Sequence, residues 1–140
     1  MIGAILGYKG NQAAAKQAQA VGEFNARIAE NEAKILQTKK TSEDANLRKA
    51  SERTIATQRV ATAASGIEMS GSALEALKDS YMNTQMDALN LAYASEIEQT
   101  AKASEAALAR AEGKAKATAY KTASYQSLLE GAEKAATYMS

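Results

Sequence analysis

The stretch TAASGIEMSGSALEALKDS, residues 62–80, places two glycines among several serines in a chain of 140 residues that has no proline. Glycine readily adopts the left-handed conformation that ends a helix. The SALE sequence at 72–75 has the spacing of a capping box, which begins a helix. We therefore predict that one helix ends and another begins here, at a corner formed by Ser65, Gly66, Ile67, Met69, Ser70, Gly71, Ser72 and Glu75.

The sequence on either side of this corner is typical of long helices. Ala, Gln, Glu, Lys and Arg dominate it, and only 5% of the chain is aromatic. We predict an all-α fold made of one extended helical unit, residues 1–140, that folds back as a hairpin. A first long helix spans residues 11–64, a turn spans 65–72, and a second helical region spans 73–140 with candidate bends near residues 113 and 131.

Large apolar side chains recur at steps of three and four residues on both predicted helices, which is the spacing of a packing face. Alanine supplies much of the 46% hydrophobic content and buries little area. We therefore predict that the chain covers this face by packing against its own copies or companion proteins, with a ring or tube of its own copies as the leading interpretation. The steps are too irregular for a strict heptad coiled coil. The predicted contact face comprises Val21, Phe24, Ile28, Ile35, Leu74, Leu77, Tyr81, Met86, Leu89, Tyr93 and Ile97.

Small and charged residues carry a second set of expectations. Between residues 101 and 119 the chain is almost entirely small or charged, and a narrow alanine face there is predicted to let helices of a multimer approach closely. Acid and base residues four apart are expected to pair on the helix surfaces. Such spacings occur at Glu30 and Lys34, Asp44 and Arg48, and Glu98 and Lys102.

The composition excludes most familiar catalytic and metal chemistry. The chain has no Cys and no His, so it has no thiol nucleophile, no Ser-His-Asp relay and no zinc site of the Cys/His kind. No phosphate-binding loop is found, since GAILGYKG has neither the spacing nor the Lys-Ser/Thr pair. We therefore predict no catalytic residues, no enzymatic activity, no cofactor and no metal site.

The net charge of +1 is spread unevenly along the chain. Residues 1–64 hold ten Lys or Arg against six Asp or Glu, residues 65–100 hold one against six, and residues 101–140 hold six against four. This is not the dense basic face of a sequence-specific DNA-binding protein. The mild excess on the first helix suits non-specific contact with DNA.

The first residues, MIGAIL, form a short apolar tip within residues 1–10. The tip is too short for a transmembrane helix and lacks the features of a secretory signal. Two interpretations stay open for Ile2, Ile5 and Leu6: they dock on a neighbouring subunit, or they touch a membrane transiently.

Several stretches taken together resemble a known family. These are MIGAILGYKGNQAAAK at the start, GEFNARIAENEAKIL, RKASERTIATQRVATAASGIEMSGSALEAL, QMDALNLAYASEIE, and an Ala/Gly-rich tail with SLLEGA. Their order resembles that of the internal virion proteins, or ejection proteins, of short-tailed bacteriophages, of the internal virion protein B type. The most specific part is AASGIEMSGSALEAL followed by MDALNLAYASEIE.

The resemblance implies a structural protein of the virion. It would lie inside the capsid or at the portal or tail, would contact portal, tail or other ejection proteins, and would reach the host envelope on infection to help form a conduit for the genome. Two other functions remain open from the residues: a membrane-active, translocator-type helical protein, and a coiled-coil adaptor or scaffold.

Overall fold

Both halves of the chain form uninterrupted helices because neither contains proline and both are rich in strong helix formers. In the computed structural model, which describes residues 2–139, helix α1 spans Ile2–Ala64 and helix α2 spans Ser72–Met139. No strand occurs among these residues. The predicted all-α hairpin is thereby confirmed. Met1, Ser140 and the side chain of Met139 lie outside the described residues.

Helix α1 is longer than the predicted segment, and helix α2 has no break at either candidate bend. Helix α1 takes in the apolar tip from Ile2 onward, and helix α2 continues through Gly113 and Gly131 without a break. Glycine inside a helix costs about 0.5–1 kcal/mol relative to alanine. Packing against the other helix compensates for a cost of that size, so neither glycine ends the helix.

The contacts divide the chain into two compact units. The terminal unit pairs Met1–Glu32 with Lys102–Ser140, and the turn unit comprises Ala33–Ala101. In each unit a segment of α1 packs against a segment of α2, and the residues at that contact are called its seam below.

Small residues form the seam of the terminal unit. The segments run antiparallel, since Gln12 contacts Ser124 and Glu23 contacts Arg110. A Cβ atom added to Gly22 would lie 2.7 Å from the carbonyl oxygen of Ala109, so the two backbones are in direct contact. The buried residues of this seam are Ala15, Gly22, Ala26, Ala29, Ala106, Gly113, Ala117 and Ser124.

Larger and more polar residues form the seam of the turn unit. The hydroxyl groups of Ser51 and Thr84 lie 2.7 Å apart, and Gln58 Nε2 donates to Ser80 Oγ at 3.0 Å, so these segments are also antiparallel. Within residues 33–101 only Ser95 is buried. The half-buried apolar side chains of this seam are Leu36, Leu47, Ile55, Leu77 and Leu91.

The seam residues follow a spacing of three, four and four residues. Gly7, Ala18 and Ala29 repeat at intervals of eleven in the terminal unit, and Leu36 and Leu47 do so in the turn unit. An eleven-residue repeat differs from the seven-residue repeat of a left-handed coiled coil. The contact within each unit therefore agrees with the expectation that no strict heptad is present.

Candidate functional site: the outward apolar faces

Two glycines with positive φ form the corner between the helices. Gly66 has φ of 71° and Gly71 has φ of 61°, a conformation that costs other residues energy. The end of α1 is closed by Ser65, whose hydroxyl donates to the carbonyl of Thr62 at 2.8 Å. Ile67 and Met69 are both exposed, so the corner presents apolar side chains on its surface.

The predicted capping box at SALE is not formed, which corrects the sequence interpretation. Helix α2 already begins at Ser72, and the amide of Glu75 donates to the carbonyl of Gly71 at 3.1 Å. Gly71 therefore occupies the capping position, which leaves Ser72 inside the first turn. In the described part of the chain the Ser72 side chain makes no hydrogen bond.

The early part of the predicted contact face points away from the seam of the terminal unit. Phe24 lies two residues after Gly22, which is about 200° around an α-helix, and 64% of it is exposed. Val21 and Ile28 share this outer side and are also exposed. The seam takes the small residues and leaves the large ones outside.

The later part of the face divides between the seam and the outside of the turn unit. Leu77 lies half-buried in the seam. Leu89 and Tyr93 each lie two residues from Leu91 of the seam, and each is 68% exposed. Four residues on this side of α2, here called the outer stripe, are Met82, Met86, Leu89 and Tyr93.

The other predicted face residues of the turn unit are exposed as well. Leu74 and Tyr81 line a shallow apolar groove together with Ile55 and Leu77. Ile35 lies on the outer side of α1, one residue before half-buried Leu36, and Ile97 is exposed near the end of this segment of α2.

The tip residues lie on the first turns of α1. Ile2, Ile5 and Leu6 are all exposed, with Ile2 at 77%. The helix is held nearby by Tyr8, whose ring packs edge-on against that of Tyr125 with centroids 6.3 Å apart. The tip therefore presents apolar side chains next to a fixed aromatic contact.

A cross-helix ionic cluster joins the two segments of the terminal unit. Arg110 donates to both carboxylate oxygens of Glu23, at 3.0 and 3.2 Å, and contacts Glu30 at 2.7 Å. The hydrogen bonds from Arg110 lower the pKa of the Glu23 carboxyl, and Glu23 and Glu30 raise the pKa of Arg110. This arrangement fixes one helix against the other through charge.

The predicted surface pairs are found in part. Arg48 donates to Asp44 at 2.9 Å, as the spacing predicts. Lys102, however, contacts Glu105 and Glu32 rather than Glu98, and these two carboxylates raise its pKa, with Glu105 the larger cause. The expectation for Lys102 is wrong because Glu32 approaches from the other helix.

Part of the predicted small-residue face of residues 101–119 packs within the chain itself. Ala106, Gly113 and Ala117 are buried against α1 of the same chain. They are therefore not available for close approach between helices of different copies. Other alanines of this stretch, including Ala107, Ala111 and Ala115, are exposed, so their role between copies stays a prediction.

Among residues 2–139, no group of three or more Asp or Glu side chains is arranged to hold a metal ion. In the same part of the chain, neither α1 nor α2 has an apolar stretch of the length and hydropathy that crossing a bilayer requires. Comparison with protein-family models, curated proteins and solved structures gives no significant match. The resemblance to the ejection proteins rests on the sequence stretches quoted above.

Sequence reasoning missed the Gly22–Gly113 contact and the Arg110 cluster. The spacing of Ala15, Gly22, Ala26 and Ala29 is a signal for the first, since small residues recur there at seam intervals. No local signal identifies the second, because Glu23 and Arg110 are separated by 87 positions in the chain.

Proposed function

We propose that this chain is a non-enzymatic structural protein of a phage particle, an internal or portal-associated ejection protein. Its copies assemble into a ring or tube that helps the genome pass through the host envelope. The observation that supports the assembly is the placement of side chains: Ala, Gly and Ser fill the seam of the terminal unit, while Phe24, Leu89 and Tyr93 face outward.

An outward face of this kind needs a partner. Burying apolar surface stabilises a protein by about 25 cal/mol per Å², and none of that stabilisation is obtained by an exposed side chain. A neighbouring copy with the same faces provides the cover. The sequence stretches that resemble ejection proteins support the proposal that this assembly belongs to the virion.

The assembly is tested on the purified full chain by mass photometry and cryo-electron microscopy. We expect closed rings or short tubes with a lumen that admits duplex DNA. Replacing Leu89 and Tyr93 together by Asp should leave helical monomers, because two carboxylates then lie on the outer stripe. Thr118→Asp, on an exposed polar position of α2, is the matched control and should assemble as the wild type does.

The virion assignment has its own measurement. Quantitative mass spectrometry of purified particles of the phage that encodes the chain should find it at the copy number of the ring. Particles without the chain would refute the virion role, and persistence of the oligomer in the Leu89→Asp/Tyr93→Asp variant would refute the outer stripe as its contact.

The second candidate, a membrane-active translocator-type protein, is favoured by the exposure of Ile2, Ile5 and Leu6. It predicts that the full chain releases dye from vesicles of anionic and zwitterionic lipid, and that Ile2→Asp/Ile5→Asp stops the release. Unchanged release by this variant would exclude the tip as the membrane contact.

A further inference from the structure

The two helix segments of the turn unit carry opposite charge. Residues 33–64 hold seven Lys or Arg against three Asp or Glu, whereas residues 65–101 hold one against six. One side of the unit is therefore basic and the other acidic.

These opposite charges are not used to hold the turn unit together. Within residues 33–101 the ion pairs are Lys39–Glu43 and Arg48–Asp44, and both lie inside α1. No ion pair in this range joins α1 to α2. The terminal unit differs, since Arg110 and Lys102 pair across its seam.

The unpaired charges lie beside the outward apolar surface. Lys49 and Arg53 each stand two residues from Ser51 of the seam, so they point to the outer side of α1. On α2 the residues Glu75, Met82, Leu89 and Glu96 follow one another at intervals of seven, which places them on one face.

The exposed area is large enough to need a partner on more than one side. The chain exposes 10374 Å², whereas a compact monomer of 14.7 kDa exposes about 6,900 Å². The excess is larger than the roughly 600–1,000 Å² that one copy contributes to a stable interface. A neighbouring copy on each side would cover part of it.

We propose that the outer stripe of α2 in one copy packs on the outer side of α1, around Lys49 and Arg53, in the next copy. This contact rests on the proposed assembly and specifies its geometry. A neighbour lying alongside in the same direction keeps the antiparallel register in which Ser51 faces Thr84. In that register Arg53 comes within one helical turn of the level of Asp79.

The charge pattern also determines the symmetry of the contact. Pairing α2 with α2 would bring Glu75, Asp79 and Glu96 against their own copies, and like charges facing each other cost several kcal/mol. The contact is therefore heterologous, with different surfaces on the two copies. Repeated contacts of this type produce rings or open filaments rather than symmetric dimers.

The test uses one variant for each surface. Lys49→Glu/Arg53→Glu reverses the charge of the basic side, and Asp79→Lys/Glu96→Lys reverses the charge of the acidic side. Each alone should weaken self-association about a hundredfold while circular dichroism shows an intact helical fold. Lys114→Glu is the control and should assemble normally, because Lys114 is an exposed residue of the terminal unit with no ion pair among the described residues.

Mixing the two variants gives the decisive measurement. The mixture offers one intact contact and one contact whose charges are exchanged on both copies, so we expect assemblies of wild-type mass in which the two variants alternate. The chain with all four substitutions has the two charges exchanged and should assemble again. A mixture that stays monomeric, or a single-surface variant that keeps the wild-type mass, would overturn the proposed contact.

These outcomes separate the contact from the proposed function. Mixed assemblies of the two variants, together with wild-type filaments that have no lumen, would support the contact and contradict the conduit. Wild-type rings that ignore the charge substitutions would support the conduit and contradict the contact. A wild-type chain that stays monomeric would contradict both.

Discussion

The terminal unit and the turn unit are built from the same two helices but hold them together differently. In the terminal unit Gly22 and Gly113 bring the backbones into contact, and the buried residues are small. In the turn unit larger side chains such as Leu47 and Leu77 line the seam, and each is only half-buried. Close packing of two backbones requires small residues at the contact, whereas packing through side chains requires large ones.

The two units also use glycine for different reasons. Gly22 is required for space, since an added Cβ would lie 2.7 Å from one backbone atom and 2.8 Å from another. Gly66 has no atom within 4 Å of an added Cβ, but its φ of 71° is unfavourable for other residues. Substituting each glycine tests this difference.

The largest effect is expected for Gly22→Ala in the terminal unit. The new Cβ must push apart two backbones, and overpacking of this kind costs about 1–3 kcal/mol. We expect a loss in the upper part of this range, measured by urea unfolding at fixed chain concentration. Hydrogen exchange should show the loss of protection in residues 2–32 and 102–139.

Gly10→Ala is the matched control for Gly22→Ala, because nothing lies within 4 Å of its added Cβ. It should stabilise the helix by about 0.5–1 kcal/mol. If both glycine substitutions stabilise the chain, the backbone contact at Gly22 does not exist in solution.

A smaller loss is expected for Gly66→Ala in the turn unit. The left-handed conformation costs a non-glycine residue about 1–2 kcal/mol, and no clash adds to it. Gly66→Asn should lose less, since Asn tolerates this conformation better. In urea unfolding the wild type should be the most stable of the three chains, Gly66→Asn the next and Gly66→Ala the least stable. Equal stability of the Asn and Ala variants would show that the corner changes its backbone to relieve the strain.

The corner and the helices could be predicted from the sequence, whereas the inner side of each helix could not. Gly66 and Gly71 signal a break by their residue type, and the absence of proline signals long helices. The large residues Phe24 and Leu89 have helical spacing, but so do Ala15, Gly22 and Ala26. Periodicity identifies a face and does not say which partner covers it. The choice depends on how closely the two backbones approach, and that is set by residues far apart in the chain.

The next effect concerns the ionic cluster that only the terminal unit has. Arg110 lowers the pKa of the Glu23 carboxyl in the folded chain. The stabilisation of the fold by this ion pair is therefore fully present above the ordinary pKa of 4.5, and it is lost as the pH falls through the lower pKa of the folded state. We expect Glu23→Gln to reduce the melting temperature at neutral pH by less than Gly22→Ala does. The difference from wild type should vanish in acid.

Glu52→Gln is the control for Glu23→Gln, because Glu52 is exposed in the turn unit and has no ion pair within the described residues. Thermal melts at a series of pH values compare the two variants. A Glu23→Gln difference that stays constant through the acid range would mean that the cluster acts through packing rather than charge.

The smallest effect, and the one with the opposite sign, is expected in the seam of the turn unit. Gln58 Oε1 is buried without a hydrogen-bond partner, while Gln58 Nε2 donates to Ser80. Removing one member of a buried polar pair costs more than removing both. Gln58→Leu alone leaves the Ser80 hydroxyl without this donor, so it should be neutral or slightly destabilising. Gln58→Leu/Ser80→Ala removes both groups and should stabilise the chain by up to about 1 kcal/mol.

The same pair of substitutions separates the two kinds of seam. A seam of larger side chains has room for an extra apolar group, so the double variant should gain stability in urea unfolding and gain exchange protection only within residues 33–101. In the terminal unit Gln12 donates to Ser124 at 3.3 Å, and Ser124 is fully buried between the helices. Gln12→Leu/Ser124→Ala should bring no comparable gain, because no buried polar atom of this pair lacks a hydrogen-bond partner among the described residues. If both double variants gain equally, the unpartnered Oε1 of Gln58 is not the source of the gain.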